Sequence, residues 1–228
     1  MAVFDLHVHT VLGSSDSSLT PEQLVEEARR IGLDGVCIAE HGGWPRPEVA
    51  RVFQEAGLTV VRAMEVDTDM GHVIVLGLHT YTPGMHRARE LRRAVERVGG
   101  FMIAAHPFRN LFNGPPYNSR NLLYPSAESY PKTASEAAGH PVFSLVDEVE
   151  VANGSNTAPE NRFALEVARE LGFVGTGGSD AHSVHGLGRC VTVFEGEIRH
   201  EADLLEALRA RAFRHGQGFH LGRLQPIG

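Results

Sequence analysis

The sequence has little that would tie the protein to a membrane, a disulfide framework or a long nucleic acid. Its 228 residues contain no run of about 18 apolar residues, so no transmembrane helix is predicted. The first residues lack the basic leader of a signal peptide. The two cysteines, Cys37 and Cys190, lie inside apolar runs, which is typical of buried thiols in a reducing compartment such as the cytoplasm. The net charge of −7 argues against an anionic membrane surface or long nucleic acid as an obligatory partner.

Lysine is scarce too, and histidine is abundant. Lys132 is the only lysine, so the basic residues are almost all arginine. Arginine suits bidentate contacts with phosphate, although genome composition produces the same bias. The glycine-rich Gly-x-x-x-x-Gly-Lys motif that cradles nucleotide phosphates is absent. The 13 histidines are not gathered in one tract, and their positions carry most of the functional signal.

Short apolar runs alternate with helical segments along the chain. A capping box at Thr20 and Gln23 opens the first helix. Short buried strands that alternate with helices predict a parallel sheet, and about seven of them in one domain favour a closed or nearly closed barrel. The length favours a single domain over residues 1–228. The predicted strands are 3–8, 35–39, 59–65, 72–78, 101–105, 148–152, 173–177 and 191–194, and the predicted helices are about 20–31, 47–56, 85–98, 159–171 and 202–212.

One stretch, at about residues 108–146, interrupts this alternation. It is rich in proline, tyrosine and arginine, and it includes Tyr117 and Arg120. A loop of this length in a compact domain is usually functional or mobile. We therefore expect an insertion that forms a lid over the mouth of the barrel.

Histidine and carboxylate residues recur where the predicted strands end or begin. His7 and His9 end the first strand, and residues two apart in a strand point to the same face. Neutral imidazoles together with carboxylates are the groups that a cluster of divalent metal ions requires. The sequence therefore predicts a metal cluster at one end of the barrel. The later members of the series are Glu40 and His41, Glu65, His72, His106, and Asp180 with His182.

The series resembles the polymerase and histidinol phosphatase (PHP) superfamily. Its end motifs, DLHVHT and GGSDAH, are specific, and the intervening elements Glu40-His41, Glu65 and Ala105-His106-Pro107 follow in the right order over nearly the whole chain. The resemblance implies a distorted (β/α)7 TIM-like barrel of the PHP type. It also implies two or three bound metal ions and hydrolysis of a phosphoester. A donor set of oxygens and imidazoles suits divalent manganese, zinc or iron.

Carried over position by position, the resemblance implies three metal sites. The position of Asp16, seven residues after His9, leaves its role open because the matching ligand in relatives lies at varying distances. The fourth strand also offers two histidines, and we favour His72 over His79 because the strand parity of His72 matches that of the ligand in relatives. The implied sites are His7, His9, Glu65 and Asp180; then Glu65, His72 and His106, with Glu65 bridging; and then Asp16, His41 and His182.

The expected mechanism needs no protein nucleophile. A hydroxide that bridges two metal ions would attack phosphorus in line, and Glu65, Asp180 and His182 would take part in catalysis. Arg109 and Arg189 flank metal motifs, and we expect them to bind phosphate oxygens. The expected substrate is a small phosphomonoester or a nucleotide phosphate.

Two other functions remain open from the sequence. An amidohydrolase-like metal hydrolase shares the His-x-His motif at its first strand, but that class normally relies on a bridging lysine, and Lys132 lies in the insertion. A non-catalytic PHP module that only binds metal should have lost some ligands, whereas this chain keeps a full set.

Overall fold

The computed structural model describes residues 1–42, 53, 56–113 and 121–227. The predicted helix at 47–56 falls outside the described residues except at Phe53 and Ala56, and the two lid residues Tyr117 and Arg120 also fall outside them. Within the described part, the strands are β1 (Ala2–Val8), β2 (Gly35–Glu40), β3 (Thr59–Thr68), β4 (Gly71–Leu76), β5 (Phe101–Ala104), β6 (Glu148–Asn153), β7 (Thr176–Gly178), β8 (Cys190–Phe194) and β9 (Phe213–Gln217). The helices are α1 (Pro21–Ile31), α2 (Ala88–Arg97), α3 (Ala134–Ala138), α4 (Ala158–Leu171) and α5 (Glu201–Arg209).

The strands form one sheet in the order β7-β6-β5-β4-β3-β2-β1-β8-β9. The chain segment after β7 returns to β1. There the backbone amide of Asp180 donates to the carbonyl oxygen of His7 at 2.7 Å, and the backbone amide of His9 donates to the carbonyl oxygen of Ala181 at 2.9 Å. These bonds bring the first seven strands into a nearly closed barrel. The predicted distorted (β/α)7 barrel is therefore confirmed.

Strand β4 distorts the barrel because it runs antiparallel to both of its neighbours, β3 and β5. The other barrel strands pair in parallel. A tight turn at Asp69 and Met70 joins β3 directly to β4, without the crossover helix that a parallel pair requires. The beginning of β4 consequently lies at the same barrel edge as the carboxyl ends of the other strands.

Alternating side chains give the strands their two apolar faces. Val36 and Ile38 pack into a cluster with Leu24 and Ala28 of α1. The intervening residues of β2, Cys37 and Ala39, belong to a different cluster that includes Val61 and Ala63 of β3. Since Glu65 follows Ala63 by two residues, its side chain continues this second face to the end of the barrel.

The first helix begins and ends as the sequence predicts. The Thr20 hydroxyl accepts a hydrogen bond from the backbone amide of Gln23, and the Gln23 side chain accepts one from the amide of Thr20. Gly32 ends the helix with a φ of 82°, a left-handed conformation that glycine adopts without a steric penalty. None of the described helices is long and apolar enough to span a bilayer.

Two regions differ from the expected pattern. Residues 121–147 contain α3 and buried side chains such as Tyr124 and Phe143 that pack into the core, so this part of the expected insertion is not simply a surface loop. The strand β9 at Phe213–Gln217, which follows the last predicted helix and was not predicted, pairs antiparallel with β8. The strand β9 escaped prediction because its sequence, FRHGQ, mixes exposed polar and buried positions at a sheet edge.

Candidate metal centre

All nine residues predicted as metal ligands lie at one edge of the barrel. The reversal of β4 explains how His72, at the start of its strand, joins residues from the ends of parallel strands. His79 lies beyond the other end of β4, where its Nε2 is 3.0 Å from Oε2 of Glu201. The structure therefore brings His72, and not His79, to this edge.

The first group consists of four buried side chains. Nε2 of His7 lies 3.4 Å from Oε2 of Glu65 and 3.5 Å from Oδ1 of Asp180. Nε2 of His9 lies 3.3 Å from the same two oxygens. Both Nε2 atoms are buried, and neither has a hydrogen-bond partner among the residues that the structure describes. Two unpartnered imidazole nitrogens that converge with two carboxylate oxygens form a donor set that fits a divalent cation.

The second group shares Glu65 with the first. Nδ1 of His72 and Nε2 of His106 lie 2.9 Å and 2.8 Å from Oε1 of Glu65. The first group faces the other oxygen, Oε2. Each carboxylate oxygen of Glu65 thus faces a different set of imidazoles, which is the arrangement of a carboxylate that bridges two ions.

The third group lies at the mouth of the site. His41 and His182, which are 36 % and 31 % exposed, converge with His9. Oδ2 of Asp16 lies 3.3 Å from Nε2 of His182 and 3.6 Å from Nε2 of His41. The expected trio is therefore together, with His9 as an additional neighbour. The solvent exposure of this group makes it the side from which a substrate can approach.

Two buried carboxylates, Glu150 and Glu40, lie behind the first group and support it. This supporting role was not predicted from the sequence. Oε1 of Glu150 lies 3.0 Å from Nδ1 of His7. Glu40 accepts a hydrogen bond at 2.5 Å from the Ser14 hydroxyl, whose oxygen lies 3.1 Å from Nδ1 of His9. A carboxylate that accepts a hydrogen bond from Nδ1–H holds the imidazole in the tautomer whose Nε2 lone pair is free for a metal. The feature of the sequence that could have indicated a role for Glu150 is its charge within the mainly apolar run of β6.

Arg109 and Arg189 occupy different surroundings. Nη2 of Arg109 contacts Oδ2 of Asp180 and donates to the side-chain oxygen of Asn153 at 2.9 Å, while its Nε donates to Asn156 at 3.0 Å. Arg189 is exposed, and its Nε donates to the carbonyl oxygen of His185 at 3.2 Å. The structure thus brings Arg109 into contact with the metal-ligand groups and gives Arg189 a hydrogen bond away from them.

The electrostatics of the site keep its carboxylates ionised. Burial opposes ionisation of Glu65, but the adjacent His7 and the hydrogen bonds with His106 and His72 hold the pKa of Glu65 well below its usual range. Burial likewise opposes ionisation of Asp180, and His7, His9 and Arg109 hold the pKa of Asp180 well below its usual range. Two anionic carboxylates beside a set of imidazoles favour cation binding.

Two candidate ligands also have an uncommon backbone conformation. His106 and Asp180 have φ angles of 30° and 54°, in the left-handed region that non-glycine residues seldom occupy. Such conformations persist where the surrounding structure determines them, and they gather at functional sites. Here they turn two candidate ligands back toward the centre of the barrel edge.

A cavity of about 210 Å³ opens beside the second group. His72 and His106 form one part of its lining, and Arg109 forms another. The cavity is the space next to the candidate metal centre in which a substrate group can lie. The remaining lining residues are Ala105, Pro107, Asn110, Asn121, Leu122 and Leu123.

Two known families match most of this chain, and one relative matches nearly half of it. Residues 5–138 match the PHP domain, and residues 158–213 match the family described as PHP-associated. An uncharacterised protein of Methanocaldococcus jannaschii is 30 % identical over 117 residues, which are 46 % of this chain and 67 % of that protein.

Two solved structures share the fold at low sequence identity. PsfC from Pseudomonas syringae is 20 % identical, with a TM-score of 0.64 over 95 % of this chain and 91 % of that chain. A protein of Bifidobacterium adolescentis that carries the provisional name metal-dependent phosphoesterase is also 20 % identical, with a TM-score of 0.58 over 90 % of this chain and 95 % of that chain. At these identities the likeness establishes the fold.

Proposed function

This chain belongs to the PHP domain family, and we propose that it hydrolyses a small phosphomonoester or a nucleotide phosphate with the help of two or three divalent metal ions. The observation that carries the proposal is the position of Glu65, whose two oxygens face two different sets of imidazoles. The name of the Bifidobacterium adolescentis protein agrees with this chemistry. The coarser function, a metal-dependent hydrolase, follows from the family and from the three metal-binding groups.

The donor set suits manganese, zinc or iron, because it combines imidazole nitrogens with carboxylate oxygens. We assign the first ion to His7, His9, Glu65 and Asp180, the second to Glu65, His72 and His106, and the third to Asp16, His41 and His182. Ions held there would activate a water molecule and neutralise charge on the phosphoryl oxygens.

The remaining roles belong to side chains of the chain itself. Glu65 holds its two imidazole sets close together, and Arg109 fixes the carboxylate of Asp180 through their ion pair. Arg109 also lines the adjacent cavity, so we assign it to a phosphoryl oxygen of the substrate. His182 at the exposed mouth meets the substrate as it enters, and Arg189 binds a more distant part of it.

The domain organisation and cellular location belong to the same proposal. We propose one PHP barrel domain over residues 1–228, with the segment at about 108–146 as a lid that shapes the substrate pocket. Cys37 and Cys190 are buried free thiols, which supports the expectation of a reducing compartment such as the cytoplasm.

The test combines metal analysis with phosphate release by Glu65→Gln and its parent. The parent should hold two or three transition-metal ions per chain. Glu65→Gln should lose at least one ion, and its rate of phosphate release should fall by roughly 100-fold or more, because bridging charge and water activation are lost together. Its melting temperature should change little, since the carboxylate lies at the edge of the core.

The control variant is Glu96→Gln, which removes the same charge from the exposed surface of α2. It should retain both the metal and the rate. Full metal occupancy and an unchanged rate in Glu65→Gln would contradict the proposed arrangement. Release of an amine from amide substrates, without phosphate release from esters, would instead favour the amidohydrolase-like alternative.

A further inference from the structure

We infer that the cavity beside His72 and His106 binds the leaving group of the substrate and selects a compact, uncharged and mainly apolar group. The inference rests on the proposed phosphoesterase function and narrows its substrate class. It concerns the walls of the cavity, whereas the proposed function concerns the ions.

The cavity is continuous with the candidate metal centre. His72 and His106 line it, and both contact the same oxygen of Glu65. Arg109 also lines it and pairs with Asp180 on the other side. We place the phosphoryl group between these side chains, with its ester substituent in the cavity.

One wall of the cavity is apolar. Ala105, Pro107 and Leu123 are buried there, and Leu122 is 51 % exposed at the same place. A single exposed leucine is common on protein surfaces. In this cavity, however, an apolar substituent would cover Leu122 and remove apolar surface of both partners from water, which favours binding.

The side-chain amide of Asn121, one of the polar groups of the wall, is already engaged. The side-chain nitrogen of Asn121 donates to the carbonyl oxygens of Pro107 and Arg109, at 2.9 Å each. The side-chain oxygen of Asn121 accepts from the amides of Leu123 and Tyr124 at 3.0 Å and 2.8 Å. These four bonds use the full capacity of the amide, so Asn121 shapes the cavity and has little left to offer a ligand.

The charges that line the cavity also favour an uncharged leaving group. Among the described residues that line the cavity there is no carboxylate, and the one guanidinium, that of Arg109, pairs with Asp180 and is assigned to the phosphoryl group, so it is not left for the leaving group. A charged leaving group would lose its hydration here without gaining a new partner, which is unfavourable. An uncharged leaving group avoids this cost.

The size of the cavity limits the leaving group to about one ring. A volume of about 210 Å³ exceeds the roughly 150 Å³ of an apolar cavity that binds benzene. It is smaller than the roughly 300–1,000 Å³ of pockets that enclose drug-sized ligands. A cavity of this volume suits a single ring or a short alkyl chain better than a sugar with an attached base.

The experiment measures kcat/KM of the manganese-loaded protein on methyl, propyl, benzyl and naphthylmethyl phosphates, with phosphoserine and a nucleoside 5′-monophosphate for comparison. All are esters of alkyl alcohols, which limits differences in leaving-group chemistry. Benzyl phosphate should exceed methyl phosphate by about tenfold or more, as expected for an apolar pocket. It should also exceed the larger and the charged esters.

Leu122→Ala tests the wall, and Leu221→Ala is its control because Leu221 is 70 % exposed and does not line the cavity. The ratio of benzyl to methyl phosphate should fall about fivefold or more in Leu122→Ala and stay unchanged in Leu221→Ala. Equal rates on all alkyl esters, a preference for the nucleotide or phosphoserine, or an unaltered ratio in Leu122→Ala would overturn this inference alone. No phosphate release from any ester by the metal-loaded protein would overturn the proposed function, and this inference with it.

Discussion

Oε1 of Glu150 lies 3.0 Å from Nδ1 of His7, on the ring nitrogen that faces away from Glu65 and Asp180. This contact assigns the Nδ1 proton to the side of Glu150 and leaves Nε2 free toward the metal centre. The other oxygen of Glu150 accepts a hydrogen bond from the backbone amide of His106 at 2.9 Å. One buried carboxylate therefore contacts candidate ligands from two of the three groups.

The first prediction follows from that contact. Glu150→Gln places an amide nitrogen within reach of Nδ1, which would shift the His7 proton to Nε2 and block the metal. Metal affinity, measured by competition with a chromogenic chelator, should fall roughly 10- to 100-fold. Glu148→Gln is the matched control, because Glu148 is equally buried on β6 but accepts from the amides of Val174 and Gly175. Equal metal affinity in the two folded variants would refute the orienting role.

The second prediction concerns protons released by metal binding. Burial opposes protonation of His7, but the carboxylates of Glu150, Asp180 and Glu65 raise its pKa well above the usual 6.5. In the metal-free protein this protonation contributes stability that is complete below about pH 6.5 and is lost as the pH rises through the raised pKa. A metal must displace the proton, so its affinity should increase with pH over the same range.

Calorimetry in two buffers with different enthalpies of ionisation gives the number of protons released. At neutral pH the parent should release about one proton more than His7→Gln. His79→Gln, altered at the opposite end of β4, should behave like the parent. Metal binding without any proton release at neutral pH would contradict the protonated state of His7.

The third prediction separates the two arginines. Arg109→Lys keeps a positive charge but cannot reach Asp180, Asn153 and Asn156 together, because lysine lacks the planar fork. Phosphate release should fall roughly tenfold or more, the effect of losing a charge-assisted contact. Arg189→Lys should change the rate of a small ester less than about threefold, since the Arg189 side chain donates to the carbonyl oxygen of His185 and not to a candidate ligand among the described residues. The reverse ranking would exchange the roles that we propose.

The fourth prediction concerns the close approach of β7 to β1. A Cβ atom on Gly178 would lie 2.5 Å from Cβ of His7 and 2.9 Å from Oε1 of Glu150. Gly178→Ala should therefore lower the free energy of unfolding by about 1–3 kcal/mol and weaken metal binding as His7 shifts. Gly196→Ala, with no atom within 4 Å of the new Cβ, should change stability by less than about 0.5 kcal/mol. Denaturant unfolding and metal titration of both variants check these values.

The candidate ligands other than Asp16, which rested on the family resemblance alone, could be predicted because each lies at the end or start of a predicted strand. A histidine or carboxylate directly after a short apolar run marks a strand end, as at His41 and His106. Parallel strands then bring separate ends to one edge. The position of His72 at the start of β4 could also be deduced. Too few residues separate Glu65 from His72 to hold the crossover helix that a parallel pair requires, so β4 must reverse direction.

The supporting residues could not be predicted in the same way. The contact of Glu150 with His7 spans 143 residues, and its register depends on how tightly β6, β7 and β1 pack together. Ser14 belongs to a polar loop whose sequence gives no reason to place its hydroxyl between Glu40 and His9. Such contacts depend on tertiary packing, which periodicity does not report.

The antiparallel β4 also has a consequence for the order in which the site can assemble during folding. Glu65 and His72 are only seven residues apart, so the hairpin of β3 and β4 brings them together with little loss of chain entropy. His7 and Asp180 lie near opposite ends of the chain and meet only when β7 closes onto β1. Two of the three proposed ligands of the second ion are thus available before the barrel is complete, whereas the proposed ligands of the first ion come together only on closure.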